Sequence, residues 1–257
     1  MTALLGLGCL PMTKLEKAVA RGSMRRVDAL LAAGSPINEH SPLHGTALKV
    51  AARRGDLAMV RHLLERGADV NLSAPLAAAA GAGHEEVARF LLARGASPNQ
   101  GWNTDSPLAE AVEGRHLPMV LLLLAAGAHP DGGQGQGMPL YTATYEAEEA
   151  IMLRLLEAGA NPNLHKCLDV AIRYVPSVAP ERILLEHGAL PDAAEADGWT
   201  PLHSAALGGA LDKVRLLLDH GARPGPVTRD GKTPLDYARE NNRTAVVALL
   251  LERMAGS

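Results

Sequence analysis

Aromatic residues are nearly missing from this chain: two Trp, four Tyr and one Phe in 257 residues, 3% of the total. A core built without them must come from Ala, Leu and Val. That suits thin helices in close contact and argues against a large ligand pocket. Cysteine is as scarce: Cys9 and Cys167 are too few and too far apart for a disulfide framework or a zinc pattern. There is no cationic surplus, the net charge being −3, whereas a nucleic-acid binder is expected to show one. No apolar run reaches the roughly 18 residues that suggest a membrane span. No Gly-x-Ser-x-Gly occurs, and the glycines from Gly132 to Gly137 neither follow an apolar strand nor lead into a Gly-Lys-Ser/Thr, so they read as a loop tip rather than a phosphate cradle.

What is present is periodicity. Leucines recur as anchors at Leu15, Leu48, Leu76, Leu108, Leu140, Leu168, Leu202 and Leu235, with spacings of 33, 28, 32, 32, 28, 34 and 33. Seven glycines follow in the same phase: Gly34, Gly67, Gly95, Gly127, Gly159, Gly188 and Gly221, six of them before Ala and Gly34 before Ser35. Thr46, Thr200, Thr233 and Ser106 stand where a hydroxyl can cap a first helix. Pro75, Pro107, Pro139, Pro201 and Pro234 follow at the first helical turn, where a fixed φ and a missing N–H suit the chain. Alanine pairs such as Ala51-Ala52, Ala79-Ala80 and Ala205-Ala206 let neighbouring helices approach, and second helices supply Val87, Phe90, Leu91 and Leu92, or Val120, Leu122, Leu123 and Leu124. No such unit buries both its faces alone, so stacking must close the core.

The clearest copy runs from Asp197 to Pro224, with Thr200-Pro201-Leu202-His203, Ala205-Ala206, Gly209, Val214, Leu216 to Leu218 and Gly221-Ala222. It resembles an ankyrin repeat, and the resemblance covers about Thr13 to Arg253, some eight repeats after a tail at residues 1–12. It implies an all-α ankyrin-repeat solenoid of helix-turn-helix units with short β-turn fingers. No second domain is left to carry catalysis. The charged first repeat and the last repeat fit the role of polar caps. His after the anchor survives only at His203, so the Thr–His tie between repeats is expected to be mostly missing. The two spacings of 28 lose five residues each, between Gly67 and Leu76 and between Gly159 and Leu168, which predicts short loops and two notches in the finger row. The sixth repeat is the weakest match, with Val175 to Pro180 between its helices and a shortened second helix expected to start at Pro180.

The ten histidines read as structural or surface groups. His84 and His116 lie between paired helices, while His187 and His220 precede a helix-ending Gly, where an imidazole can meet terminal carbonyls. His165 and Cys167 have no second pair at zinc spacing. His203 and Ser204 are adjacent on a helix and point apart, so they are no catalytic pair.

The resemblance also implies a partner surface on the concave face, built from finger residues and from positions five and six after each anchor. Here those are Arg53, Arg54, Trp102, Asn103, Asp105, Glu113, Tyr145, Glu146, Arg173, Tyr174 and Trp199, continuing with Asp197, Arg229, Asp230, Lys232, Glu240 and Asn241. Four of the seven aromatics fall on that face, while Phe90 occupies a core position. Trp and Tyr are frequent interface anchors. The chain therefore reads as a protein–protein interaction module: a scaffold, adaptor or inhibitor, with no enzyme activity, no metal and no cofactor. The expected partner is another protein and no nucleic acid, and the expected form is a cytoplasmic, bacterial monomer. The alternative is an exported or lipid-tethered ankyrin protein, suggested by Leu7-Gly8-Cys9. Against it, no cation precedes that short apolar run, and Met12 is a second candidate start.

Overall fold

The structure, a computed structural model, describes residues 12–100, 106–132 and 138–255. Among these residues sixteen α-helices follow one another in pairs, and each anchor leucine lies within the first turn of the first helix of its pair. The eight anchors are buried, none more than 6% exposed. Trp102, Asn103 and Asp105, and the N-terminal stretch containing Cys9, lie outside the described residues.

The chain divides into two compact units, Met1–Pro139 and Leu140–Ser257. The first holds α1 (Lys14–Ala20), α2 (Met24–Ala32), α3 (Ala47–Arg53), α4 (Leu57–Glu65), α5 (Pro75–Gly81), α6 (Glu85–Ala93), α7 (Pro107–Glu113) and α8 (Leu117–Ala125). First helices α1, α3, α5 and α7 pack side by side in that order, with their alanines between them. Second helices α4, α6 and α8 form a parallel row, burying Met59, Val60 and Leu63, then Val87, Ala88 and Leu91, then Met119, Val120 and Leu123. Phe90 departs from expectation. It is half-buried on α6 between the guanidinium groups of Arg61 and Arg94, 4.3 and 4.5 Å from the ring centroid, while Ala88 and Leu91 take the inner positions.

The second unit holds α9 (Pro139–Tyr145, starting on the last residue of the first unit), α10 (Glu149–Glu157), α11 (Cys167–Tyr174), α12 (Ala179–Glu186), α13 (Pro201–Gly208), α14 (Leu211–Asp219), α15 (Pro234–Glu240) and α16 (Thr244–Ala255). The sixth pair is formed in full. Its second helix opens at Ala179, one residue before Pro180, and ends one residue short of the usual nine. The last helix runs two residues past Arg253.

The hydroxyl caps form at three of the four named positions, Thr200 being the exception because its hydroxyl meets His203 Nδ1 instead. The side chains of Thr46, Ser106 and Thr233 accept from the N–H three residues on, and Thr13 does the same in a reciprocal box with Glu16. Fingers are short. One is a two-residue ladder, β1 (His40–Ser41) with β2 (Gly45–Thr46), pairing His40 with Thr46. Two others close as turns, the Glu195 N–H donating to the Trp199 carbonyl and the Thr228 N–H to that of Lys232; the Arg229 N–H then donates to the Asp197 carbonyl, joining finger to finger.

The two 28-residue spacings do give short loops. Each turns into its helix through two consecutive left-handed residues, Ser73-Ala74 before α5 and His165-Lys166 before α11. That conformation costs a residue with a Cβ about 1 kcal/mol or more. An open cleft lies at each loop. One is lined by residues 69–74 and the β1–β2 finger. The other has about 640 Å³ of empty space between the loop at residues 162–169 and Leu190, Glu195 and Trp199.

A second regularity in the sequence ties successive loops. Asn38, Asn71, Asn99 and Asn163 each stand four residues after a phased Gly. Asn71, Asn99 and Asn163 each donate to the carbonyl of the next phased Gly, and their side-chain oxygens accept from Ser97, His129 and Leu190; Asn38 likewise accepts from Asp69. Asp192 holds the same phase and accepts from the Arg223 N–H.

Candidate functional site

In the first unit, Arg53 ends α3 and Arg54 follows it, both exposed, and Glu113 is the exposed last residue of α7. The turns beneath them are fixed by histidine: His84 Nε2 meets the Arg53 carbonyl at 3.1 Å and His116 Nε2 meets that of Gly81 at 3.3 Å. His187 and His220 meet helix-terminal carbonyls of Ile183 and Leu216 through Nδ1. These four imidazoles hold backbone.

In the second unit the sequence-derived positions converge. Tyr145 ends α9 and Tyr174 ends α11; their rings lie 6.0 Å apart, tilted by 54°, and are 52% and 62% exposed. Glu146, next along, is exposed. The Arg173 guanidinium is 5.9 Å from the Trp199 ring centroid, pairs with Asp169 at 2.9 Å and reaches Glu195 at 3.6 Å. Trp199 is more embedded than the tyrosines. Its indole N–H donates to Ser204 Oγ at 2.7 Å, and its ring meets Tyr237 edge-on at 4.9 Å. Part of its role is therefore to lock its own finger against the next repeat. Arg229, Asp230 and Glu240 are exposed nearby in sequence, with Lys232 paired to Glu240 at 2.8 Å.

The pivot of this cluster, Ser204, was not singled out as a surface residue by sequence reasoning. Its hydroxyl donates to Asp169 at 2.9 Å while accepting from Trp199 and from Arg173 at 3.2 Å. No base faces it. The adjacent His203 points to Thr200, whose hydroxyl and N–H meet its Nδ1 at 2.8 and 3.1 Å, while its Nε2 donates to the Lys232 carbonyl at 3.3 Å. Burial holds the His203 imidazole below its usual pKa range. The one surviving Thr–His tie thus works as expected. At the other end of the sequence a carboxylate replaces it: buried Glu16 accepts from Thr13 N–H and from both the N–H and hydroxyl of Ser41.

Two buried charges meet at the irregular sixth pair, Glu181 from its own α12 and Lys213 from α14 of the seventh. Lys213 Nζ donates to the carbonyls of Ala171, Ile172 and Val175 and lies 2.5 Å from Glu181 Oε1. The ammonium, already shared among three carbonyls, meets this carboxylate as a close ion pair. Desolvation pushes the Glu181 carboxyl above its usual range, partly offset by Lys213. No group of three or more His, Cys, Asp or Glu side chains is placed to share a metal ion among the described residues. None of their helices is long and apolar enough to cross a membrane.

A family model for ankyrin repeats, in three copies, matches residues 15–101 and 176–256. The chain belongs to the ankyrin repeat family. The structure is similar to the crystal structure of the human ASB11 ankyrin repeat domain, at 28% identity over 94% of this chain and 97% of that one, with a TM-score of 0.52. A comparison with curated proteins finds no match. Between the two matched segments, the ankyrin pattern of helix pairs continues with anchors Leu108, Leu140 and Leu168 buried. Ankyrin repeats mark the chain as a protein–protein interaction module.

Proposed function

We propose that this ankyrin protein is a non-catalytic adaptor or inhibitor that acts by occupying a partner's surface, and that Tyr145, Glu146, Arg173, Tyr174 and Trp199 form the centre of its binding face. The observation carrying this reading is the Tyr145–Tyr174 pair, two of only seven aromatics, more than half exposed and in ring contact. Exposed aromatics cost solvation unless something covers them, and interface hot spots are enriched in such rings beside Arg. Arg53, Arg54 and Glu113 extend the same helix-end positions in the first unit, and Trp102, Asn103 and Asp105 are proposed as finger contacts from their sequence positions. On this reading the protein works in the cytoplasm as a monomer without metal or cofactor.

The test is capture of the native partner by the intact protein and by Tyr145→Ala/Tyr174→Ala, both checked for equal helicity. The double variant is expected to lose about 2 kcal/mol or more of binding, roughly thirtyfold. Equal retention by both proteins would sink the proposed face. Mass spectrometry of the native N-terminal peptide tests the location separately: a lipidated Cys9 would replace the cytoplasmic reading with the tethered one.

A further inference from the structure

The first unit carries a charge pattern that the aromatic pair does not explain. Residues 1–61 hold nine Lys and Arg against four Asp and Glu, an excess of +5 in a chain whose total is −3. One of those four acids, Glu16, is fully buried in its tie to Ser41. Across the packed row α1, α3, α5, α7, the positions five and six after the anchors change in sequence. Cations come first (Arg21, then Arg53 and Arg54), then two small uncharged residues (Gly81 and Ala82), then an acid (Glu113). A trough with about 940 Å³ of empty space lies over α5. Lys49 and Arg53 stand on one wall and Glu110 on the other, with Ala77, Ala78 and Gly81 as its floor. The finger residue Leu43, 53% exposed, overhangs the cationic side.

The side chains of Arg21, Lys49, Arg53 and Arg54 form no ion pair among the described residues, whereas Arg66 and Arg89 in the same unit do. Cations on adjacent helices that make no ion pair gain a counter-charge when an anionic segment docks. We propose that this trough takes an acidic segment of a partner protein. Its carboxylates lie over Lys49 and Arg53, with exposed Arg54 next along the chain, and an apolar side chain rests on the alanine floor beside Leu43. The inference rests on the reading that first-helix faces meet the partner, and adds the chemistry of what is met.

The acidic wall narrows the choice. A nucleic acid carries charge at every step and would have to run its phosphates over Glu110 and Glu113. A peptide can confine its carboxylates to one end. The floor offers no aromatic ring on which a base could stack. An anionic membrane would find a single large apolar side chain, Leu43, on a recessed surface.

The probe is a short fluorescent peptide with glutamates at one end and leucine beside them, titrated into the full chain by anisotropy. A lysine-for-glutamate counterpart, a single-stranded oligonucleotide and phosphatidylserine vesicles serve as competitors. The acidic peptide is expected to bind, and to weaken as salt rises. Arg53→Glu/Arg54→Glu is expected to lose about tenfold or more of its affinity, because both sites turn repulsive. Both residues are exposed, so the fold should survive, as circular dichroism would verify. Tyr145→Ala/Tyr174→Ala should bind the probe as the intact protein does. Absence of acidic-peptide binding would overturn the proposal. So would indifference to the charge reversal, or equal affinity for the oligonucleotide or the vesicles. If the reversal abolishes probe binding while the tyrosine variant still retains the native partner, the aromatic reading alone fails. The opposite pattern removes this inference and leaves that one standing.

Discussion

An imidazole at His203 and a carboxylate at Glu16 do the same job on different helices: each caps its own helix and reaches across to the next finger. The consensus histidine was legible at one position. That glutamate could stand in for it was not, because the substitution works only if Ser41 is there to donate. The imidazole version brings a pH dependence. Nδ1 accepts from Thr200 N–H, so protonating it removes that acceptor. With the folded pKa lowered from 6.5, the unfolded chain takes up the proton first. The tie therefore contributes fully above about pH 6.5 and is eroded as pH falls below it. Urea midpoints of the intact protein should drop between about pH 7 and about pH 5, and drop less in His203→Gln. Identical pH profiles for the two would mean that His203 does not titrate on unfolding. A second residue-scale test concerns backbone strain. Ala74 is left-handed at φ 51° and gives α5 no side-chain cap. Ala74→Gly should raise stability by about 1 kcal/mol, read as a higher melting temperature, because relief of the left-handed conformation outweighs the entropy Gly adds to the unfolded chain.

At the scale of elements, the helix pairs were legible because anchors, caps, prolines and phased glycines repeat locally in sequence. The Asn ties share that phase and were equally available. The sixth pair shows where such reading runs out. Val175 to Pro180 breaks the tight turn that joins other pairs, which leaves carbonyls at the end of α11 without N–H donors from their own turn. The missing donor comes from Lys213, 38 residues beyond Val175, and no local pattern announces it. Within the proposed binding face the positions of Tyr145 and Tyr174 follow from the anchors once the rule implied by the resemblance is applied. The Trp199–Ser204–Asp169 arrangement was not, since it depends on which rotamers meet across α11 and α13. Lys213→Met should cost about 3–5 kcal/mol, because it strands a buried carboxylate at Glu181 and removes the donor to Ile172 and Val175. Adding Glu181→Leu should recover part of that loss but not all of it, since the two carbonyls stay without their donor. Full recovery would assign the whole cost to the carboxylate.

Across the whole molecule, the division into two compact units and the nearest-neighbour packing within each bear on how damage spreads. In a stacked array each repeat touches only those beside it, so stability is close to a sum of repeat and junction contributions. Destabilising the sixth and seventh pairs through Lys213→Met should then lower protection locally. Amide exchange should quicken in α11, α12, α13 and α14, around Lys213, and stay unchanged in α1 to α4, which belong to the other unit. The tyrosines at the ends of α9 and α11 lie beside the loosened region, so the same variant should weaken capture at the aromatic face. Acidic-peptide binding over α3 and α5 should persist. Uniform acceleration of exchange in both units would show that the array opens as one cooperative body. In that case a defect in either unit would switch off both surfaces together.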